Sequence, residues 1–209
     1  MIKGIKHIIF DLGGVLLNID YTLTEKAFQA AGVSNFHDCF SQLKQTDLFD
    51  QLEMGQLPAE EFIAAMQKAS EADITEEQVI NAWNAMLLDF PLRRLQILQQ
   101  LQLYYDLFLL SNTNEIHEKA FNDILMRSHG IPSIGVFFDR VYYSHRVGLR
   151  KPMKEIFELV LNESGLKAAD TLFIDDSPQH IEAAKQLGIQ TIYLEKGMTI
   201  EGDIFKAKE

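Results

Sequence analysis

The chain has 209 residues, of which 47% are hydrophobic and 23% charged, and its formal net charge is −11. That length suits one domain with an insert or two small domains, with enough apolar surface to bury a proper core. The acidic balance excludes a general binder of nucleic acid or of anionic membranes, and an anionic substrate would need a local positive site set against the field of the whole chain.

The first apolar run is Ile8-Ile9-Phe10, closed by Asp11-Leu12-Gly13-Gly14-Val15-Leu16. Lys3 and Lys6 before it mimic the start of a signal peptide, but Asp11 interrupts the run early and no small-residue cleavage site follows. From about Tyr21 to Leu88 there is no strand-like run. Helical stripes recur instead: Leu23, Ala27, Ala30; then Phe62, Ile63, Met66; then Val79, Ile80, Trp83, Met86, Leu87. Thr75-Glu76-Glu77-Gln78 predicts a capping box, and Pro58 and Pro91 punctuate the segment. Glu53-Met54-Gly55 is a turn between helices, with facing a substrate and merely joining helices both open. Cys39, the only cysteine, rules out an intrachain disulfide and is expected as a small buried hydrophobe in a reducing cytoplasm.

Strand-like runs resume at Leu107–Leu110, Val141–Tyr143, Leu172–Ile174 and Thr191–Leu194. Unbroken apolar runs suit strands covered on both faces. Helices are predicted between them. Asn112 with Glu115 forms a capping-box pattern. Pro152 is expected at a first helical position ahead of Ile156, Phe157, Val160 and Leu161. Ser177-Pro178 opens a helix that stops at Gly188. Strand–helix alternation predicts an α/β fold, a Rossmann-like parallel sheet flanked by helices, with an inserted α-helical segment. The expected division is a core of residues 1–17 and 89–209 and a helical cap of residues 18–88. No apolar stretch reaches the ~18 residues of a membrane span, and a cytoplasmic protein is expected. Monomer and homodimer remain equally open.

In open α/β sheets ligands gather at the carboxyl ends of strands. The polar residues that follow the apolar runs are Asp11, Ser111-Asn112 and Asp175-Asp176, with Lys151 shortly after a fourth strand. Carboxylates brought to one edge repel unless a cation sits among them, and hard oxygen ligands of this kind suit Mg²⁺. Lys151 and the amides at Ser111-Asn112 favour an anion beside it. Metal, anion site and carboxylate together point to phosphoryl transfer on a small phosphorylated metabolite. The six histidines have no metal-ligand spacing, and His117 and His180 are given no catalytic part.

The segments Phe10–Leu16, Leu109–Thr113, Gly148–Pro152 and Phe173–Ser177, in that order, resemble the four motifs of the haloacid dehalogenase-like hydrolases. The helical segment sits where that family carries a C1-type cap. The Asp-Leu-Gly-Gly-Val, Leu-Ser-Asn-Thr-Asn and Arg-Lys-Pro variants most resemble the branch of sugar-phosphate phosphatases acting on glucose 1-phosphate. The resemblance implies Asp11 as nucleophile through an aspartyl-phosphate, Ser111 and Asn112 as holders of phosphoryl oxygens, and Lys151 as counter-charge. It implies Mg²⁺ on Asp11, the Gly13 carbonyl and Asp176, with Asp175 in direct or water-mediated support.

One position departs from the family. Gly13 stands where these phosphatases carry a second Asp that protonates the leaving group, help worth about 10²–10⁴-fold. Three outcomes follow: a phosphatase selective for leaving groups that need little protonation, such as an anomeric oxygen; a haloacid dehalogenase; or a weakly catalytic binding or regulatory protein. Asp20 or a cap side chain could stand in for the missing acid.

Overall fold

The computed structural model describes residues 2–38, 47–70 and 72–206; Cys39 lies outside them. Five strands form one all-parallel sheet in the order β3-β2-β1-β4-β5, with β1 His7–Phe10, β2 Asp106–Ser111, β3 Arg140–Tyr143, β4 Thr171–Asp175 and β5 Gln190–Tyr193. The unbroken apolar runs have a direct cause. Along β1, Ile8 and Phe10 enter one core cluster while Ile9 enters another. Leu107 and Leu109 likewise oppose Phe108 and Leu110, and Leu172 and Ile174 oppose Phe173. The three central strands are apolar on both faces because helices cover both faces, whereas edge strand β5, expected to be covered likewise, has no fully buried residue.

Nine helices are described in chain order: α1 Tyr21–Ala30, α2 Leu48–Glu53, α3 Ala59–Ala69, α4 Glu76–Asn84, α5 Leu92–Leu101, α6 Glu115–His129, α7 Ser144–Val147, α8 Lys154–Ser164 and α9 Pro178–Gln186. Helices α5 and α6 pack on one sheet face, α8 and α9 on the other. A short π-turn, Ile200–Ile204, closes the first face, where buried Arg94 of α5 pairs with Glu201 at 2.9 Å. Helices α1 to α4 build a separate apolar cluster around Phe28, Leu52, Phe62, Met66 and Val79. The Thr75–Gln78 capping box is present as predicted.

Four local expectations are corrected. Helix α8 starts at Lys154, not at Pro152. Both main-chain polar groups of Lys151 are bonded to the Asn112 side chain, at 2.9 Å and 2.8 Å, which holds this stretch out of the helix. Helix α6 is capped by Asn114, whose Oδ1 accepts from the His117 N–H at 3.0 Å, rather than by Asn112. The Glu115 carboxylate accepts instead from the Ala59 N–H at 2.8 Å, at the start of α3. In α1 the buried stripe is Thr24 and Phe28, and Ala30 is exposed. Helix α4 ends at Asn84, so Met86 and Leu87 lie beyond it.

Candidate active site

Register aligns the strand ends. Phe10 is level with Leu109 on one side and Ile174 on the other, so Asp11 and Asp175, one residue further, emerge side by side. Both carry the parity of Ile9 and Phe173, and so share a face. The Asp11 N–H donates to the Ile174 carbonyl at 2.9 Å, which carries the pairing up to the nucleophile candidate.

Lys151 reaches this pair from the loop before α8. Its Nζ, fully buried, donates to Asp11 Oδ1 and to Asp175 Oδ2, each at 2.7 Å, and lies 5.3 Å from the Phe173 ring. Burial works against the ammonium, but Asp11 and Asp175 outweigh it and hold its pKa above the ordinary range. Asp175 is also drawn up by burial, yet Lys151 and then His180 pull it down to about 2. Its Oδ1 accepts from the Ser177 N–H at 2.7 Å, and His180 Nδ1 lies 3.0 Å from both oxygens. Asp175 is thus fully engaged by protein donors. Asp11 has the opposite fate: burial pushes it up to about 7, against the pull of Lys151 and with repulsion from Asp175 and Asp176 added.

Asp176 completes the acidic group. Carboxylate oxygens of Asp11, Asp175 and Asp176 all lie within 4.8 Å of one another. Gly14 makes room for it. A Cβ built there would stand 2.1 Å from Asp176 Oδ2, and φ is +75°. Beside it, the Gly14 N–H donates to the Leu17 carbonyl and the Leu17 N–H to the Leu12 carbonyl, both at 2.9 Å. Those bonds leave the Gly13 carbonyl out.

Ser111 ends β2, buried, with only a long 3.5 Å contact from its hydroxyl to the Asn112 carbonyl. Asn112 brackets the Lys151 main chain, a role the sequence did not reveal. Ser144, also missed, accepts from the Thr113 N–H at 2.9 Å and donates to its carbonyl at 3.0 Å, which fixes the loop after Ser111. His117 is buried between Asn114 and the Trp83 carbonyl, and burial pushes it down to about 4, so it is neutral. His180 does touch the acidic group, through Asp175. The sequence signal was available: His180 lies in the first turn of the helix that follows the paired Asp residues.

Above Asn112 opens a cavity of about 600 Å³, walled by Tyr21, Phe49 and Trp83 from the helical segment and by Arg150 from the core. Arg150 pairs with two acids of α2: Asp50, and Glu53 Oε2 at 2.9 Å from Nη2.

Buried carboxylates and a buried lysine at the carboxyl edge of a parallel sheet, under a helical roof, define an α/β protein whose site is built for charged-group chemistry. A family model described as haloacid dehalogenase-like hydrolase matches residues 5–188, and the chain belongs to that family. A D-ribitol-5-phosphate phosphatase of Bacteroides thetaiotaomicron is 33% identical over 92% of this chain and 93% of its own. A HAD family enzyme of the same organism, solved with magnesium and inorganic phosphate, superposes with a TM-score of 0.82 at 33% identity, covering 93% of this chain and 96% of that one. A predicted HAD-like family hydrolase of Porphyromonas gingivalis gives 0.80 at 34%, covering 93% of each chain.

Proposed function

We propose that this hydrolase is a Mg²⁺-dependent phosphatase of small phosphorylated sugars and polyols, with Asp11 as its nucleophile. The observation that carries the reading is the buried Lys151 Nζ held between Asp11 and Asp175 at 2.7 Å each, with Asp176 alongside. Three carboxylates against one lysine leave an excess of negative charge in a partly buried space. An all-oxygen donor set of this kind fits a hard divalent cation, and Mg²⁺ usually takes one or two carboxylates together with substrate phosphate. Asp11, Asp176 and the Gly13 carbonyl would hold it, with Asp175 in water-mediated support. The ion supplies neutralisation of phosphoryl charge when bound.

The chain's own residues do the rest. Lys151 takes Oδ1 of Asp11, fixes the rotation of the carboxylate and leaves the other oxygen to attack phosphorus. The P–O bond to the leaving group breaks as the aspartyl-phosphate forms, and water then releases phosphate and regenerates Asp11. Ser111 offers its hydroxyl to a phosphoryl oxygen. Asn112 offers the amide N–H that the Lys151 carbonyl does not use. Residues 18–88 act as a cap over the core of residues 1–17 and 89–209, and its cavity receives the leaving group.

The ribitol phosphate relative supports a phosphorylated polyol, and the resemblance to the glucose 1-phosphate branch supports a sugar 1-phosphate. The enzyme works in the cytoplasm. A panel of phosphomonoesters and 2-chloropropionate, each with and without Mg²⁺, tests the reading. Phosphate release that needs Mg²⁺ and vanishes in Asp11→Asn is expected. Chloride release, or no product from folded protein, overturns it.

A further inference from the structure

Gly13 removes the family's proton donor, and the structure fills its place: a Cβ there would stand 3.2 Å from Ile19 Cδ1. A ribitol 5-phosphate leaving group is a simple alkoxide, which departs slowly without a proton. Some other acid is needed if such substrates are to turn over. Asp20 is unsuited. It caps α1, and its hydrogen bonds from the Thr22 hydroxyl and N–H hold its carboxyl below the usual range.

The cavity wall holds a better candidate in Glu53. Glu53 ends α2, and the turn after it is pressed on the core: a Cβ at Gly55 would stand 2.1 Å from the His145 carbonyl oxygen. Only glycine, at φ +65°, lets this turn seat so closely. Seating brings Glu53 to Arg150, the neighbour of the lysine that bonds Asp11. Glu53 Oε2 lies 2.9 Å from Arg150 Nη2, and the guanidinium by itself favours the charged form of the carboxyl. Burial raises the Glu53 carboxyl above its ordinary range, against the pull of Arg150. Tyr21, Glu53 and Asn112 line the same cavity.

We propose that Glu53, delivered by the cap turn and steadied by Arg150, is the general acid–base that replaces the side chain missing at Gly13. The proposal rests on the phosphatase reading. In the first step Asp11 forms its bond to phosphorus, the P–O bond to the leaving group breaks, and the Glu53 proton passes to the departing oxygen, which leaves as an alcohol. In the second step water attacks the aspartyl-phosphate and gives a proton to Glu53. The Asp11–phosphorus bond breaks, phosphate departs, and Glu53 is protonated again.

Leaving-group acidity separates this role from a structural one, because p-nitrophenolate departs without a proton. Rapid-quench measurements on Glu53→Gln are expected to show the p-nitrophenolate burst at the wild-type rate. The slow phase after the burst should fall, and the first-turnover release of ribitol from ribitol 5-phosphate should fall about 100-fold or more. Equal loss in the burst and in ribitol release overturns the proposal and leaves Glu53 as a latch for the cap. So does unchanged ribitol release. The wild type offers a check that needs no variant: its first-step rate across a series of aryl and alkyl phosphates should depend weakly on leaving-group pKa, and a steep dependence overturns the proposal. A wild type that releases phosphate from none of them fails the phosphatase reading itself.

Discussion

Replacing Gly14 by alanine tests whether Asp176 belongs to the metal site. Two effects are combined at this position. The backbone has φ +75°, where an L-residue costs about 1–2 kcal/mol. The new Cβ would also stand 2.1 Å from Asp176 Oδ2 and 2.7 Å from its Cγ. Gly130 separates the two, since its φ of +69° is close to that of Gly14 and a Cβ there meets nothing within 4 Å. Gly130→Ala is therefore expected to lose about 1–2 kcal/mol in urea denaturation and to keep the wild-type Mg²⁺ dependence. Asp176 is the exposed end of a movable side chain, so Gly14→Ala should lose little more stability than that. What it loses is the carboxylate's place beside Asp11 and Asp175. Losing a ligand costs at least as much as the 10–100-fold typical of an outer-shell partner, so the Mg²⁺ concentration for half-maximal phosphate release should rise about 10-fold or more. A Gly14→Ala enzyme with wild-type Mg²⁺ half-saturation would refute the argument.

Lys151→Met leaves Asp11 and Asp175 without their cation. Breaking a buried pair costs about 3–5 kcal/mol, and urea denaturation in EDTA should show it, with phosphate release abolished; a loss below 1 kcal/mol would contradict the buried network. His117 sets a pH limit on stability. The folded ring titrates at about 4, whereas an unfolded imidazole titrates near ~6.5. Between those values only the unfolded chain takes up the proton. This contribution is complete above pH ~6.5 and falls away as pH drops toward about 4, by roughly 2–3 kcal/mol. His117→Gln should lose correspondingly less stability between pH 7 and pH 4.5, and equal losses in the two proteins would count against a neutral buried ring.

The sheet was legible because its signal is local: each run from Ile8–Phe10 to Leu172–Ile174 is apolar at every position, as two covered faces demand. That Asp11, Lys151, Asp175 and Asp176 would gather at one edge was legible because a polar residue closing such a run has few structural reasons to be there. The second layer was not. Asn112 looked like a helix cap, since the amide that caps a helix can equally hold the main chain of a residue 39 positions away. Glu115 stands at the right spacing for a capping box, and its partner proved to be the N-terminus of α3. Pro152 favours a first helical turn, but bonds across the molecule decided otherwise. The Arg150 pairs with Asp50 and Glu53 join segments about 100 residues apart, and no spacing within either segment announces them.

Helix α6 belongs to two clusters at once. Ile116, in its first turn, is buried in the apolar cluster of α1 to α4, while Phe121 and Leu125 are buried against the sheet. The same turn holds Glu115 to the start of α3 and His117 to the Trp83 carbonyl at the end of α4. Roof and floor of the cavity therefore share one rigid rod. The helical cluster cannot lose its packing without stripping the end of a helix that the sheet needs. Heating should uncouple the two only when both fail, as one cooperative calorimetric transition. Among the slowest-exchanging amides, those of the middle of α6 should keep pace with those of β1 and β2.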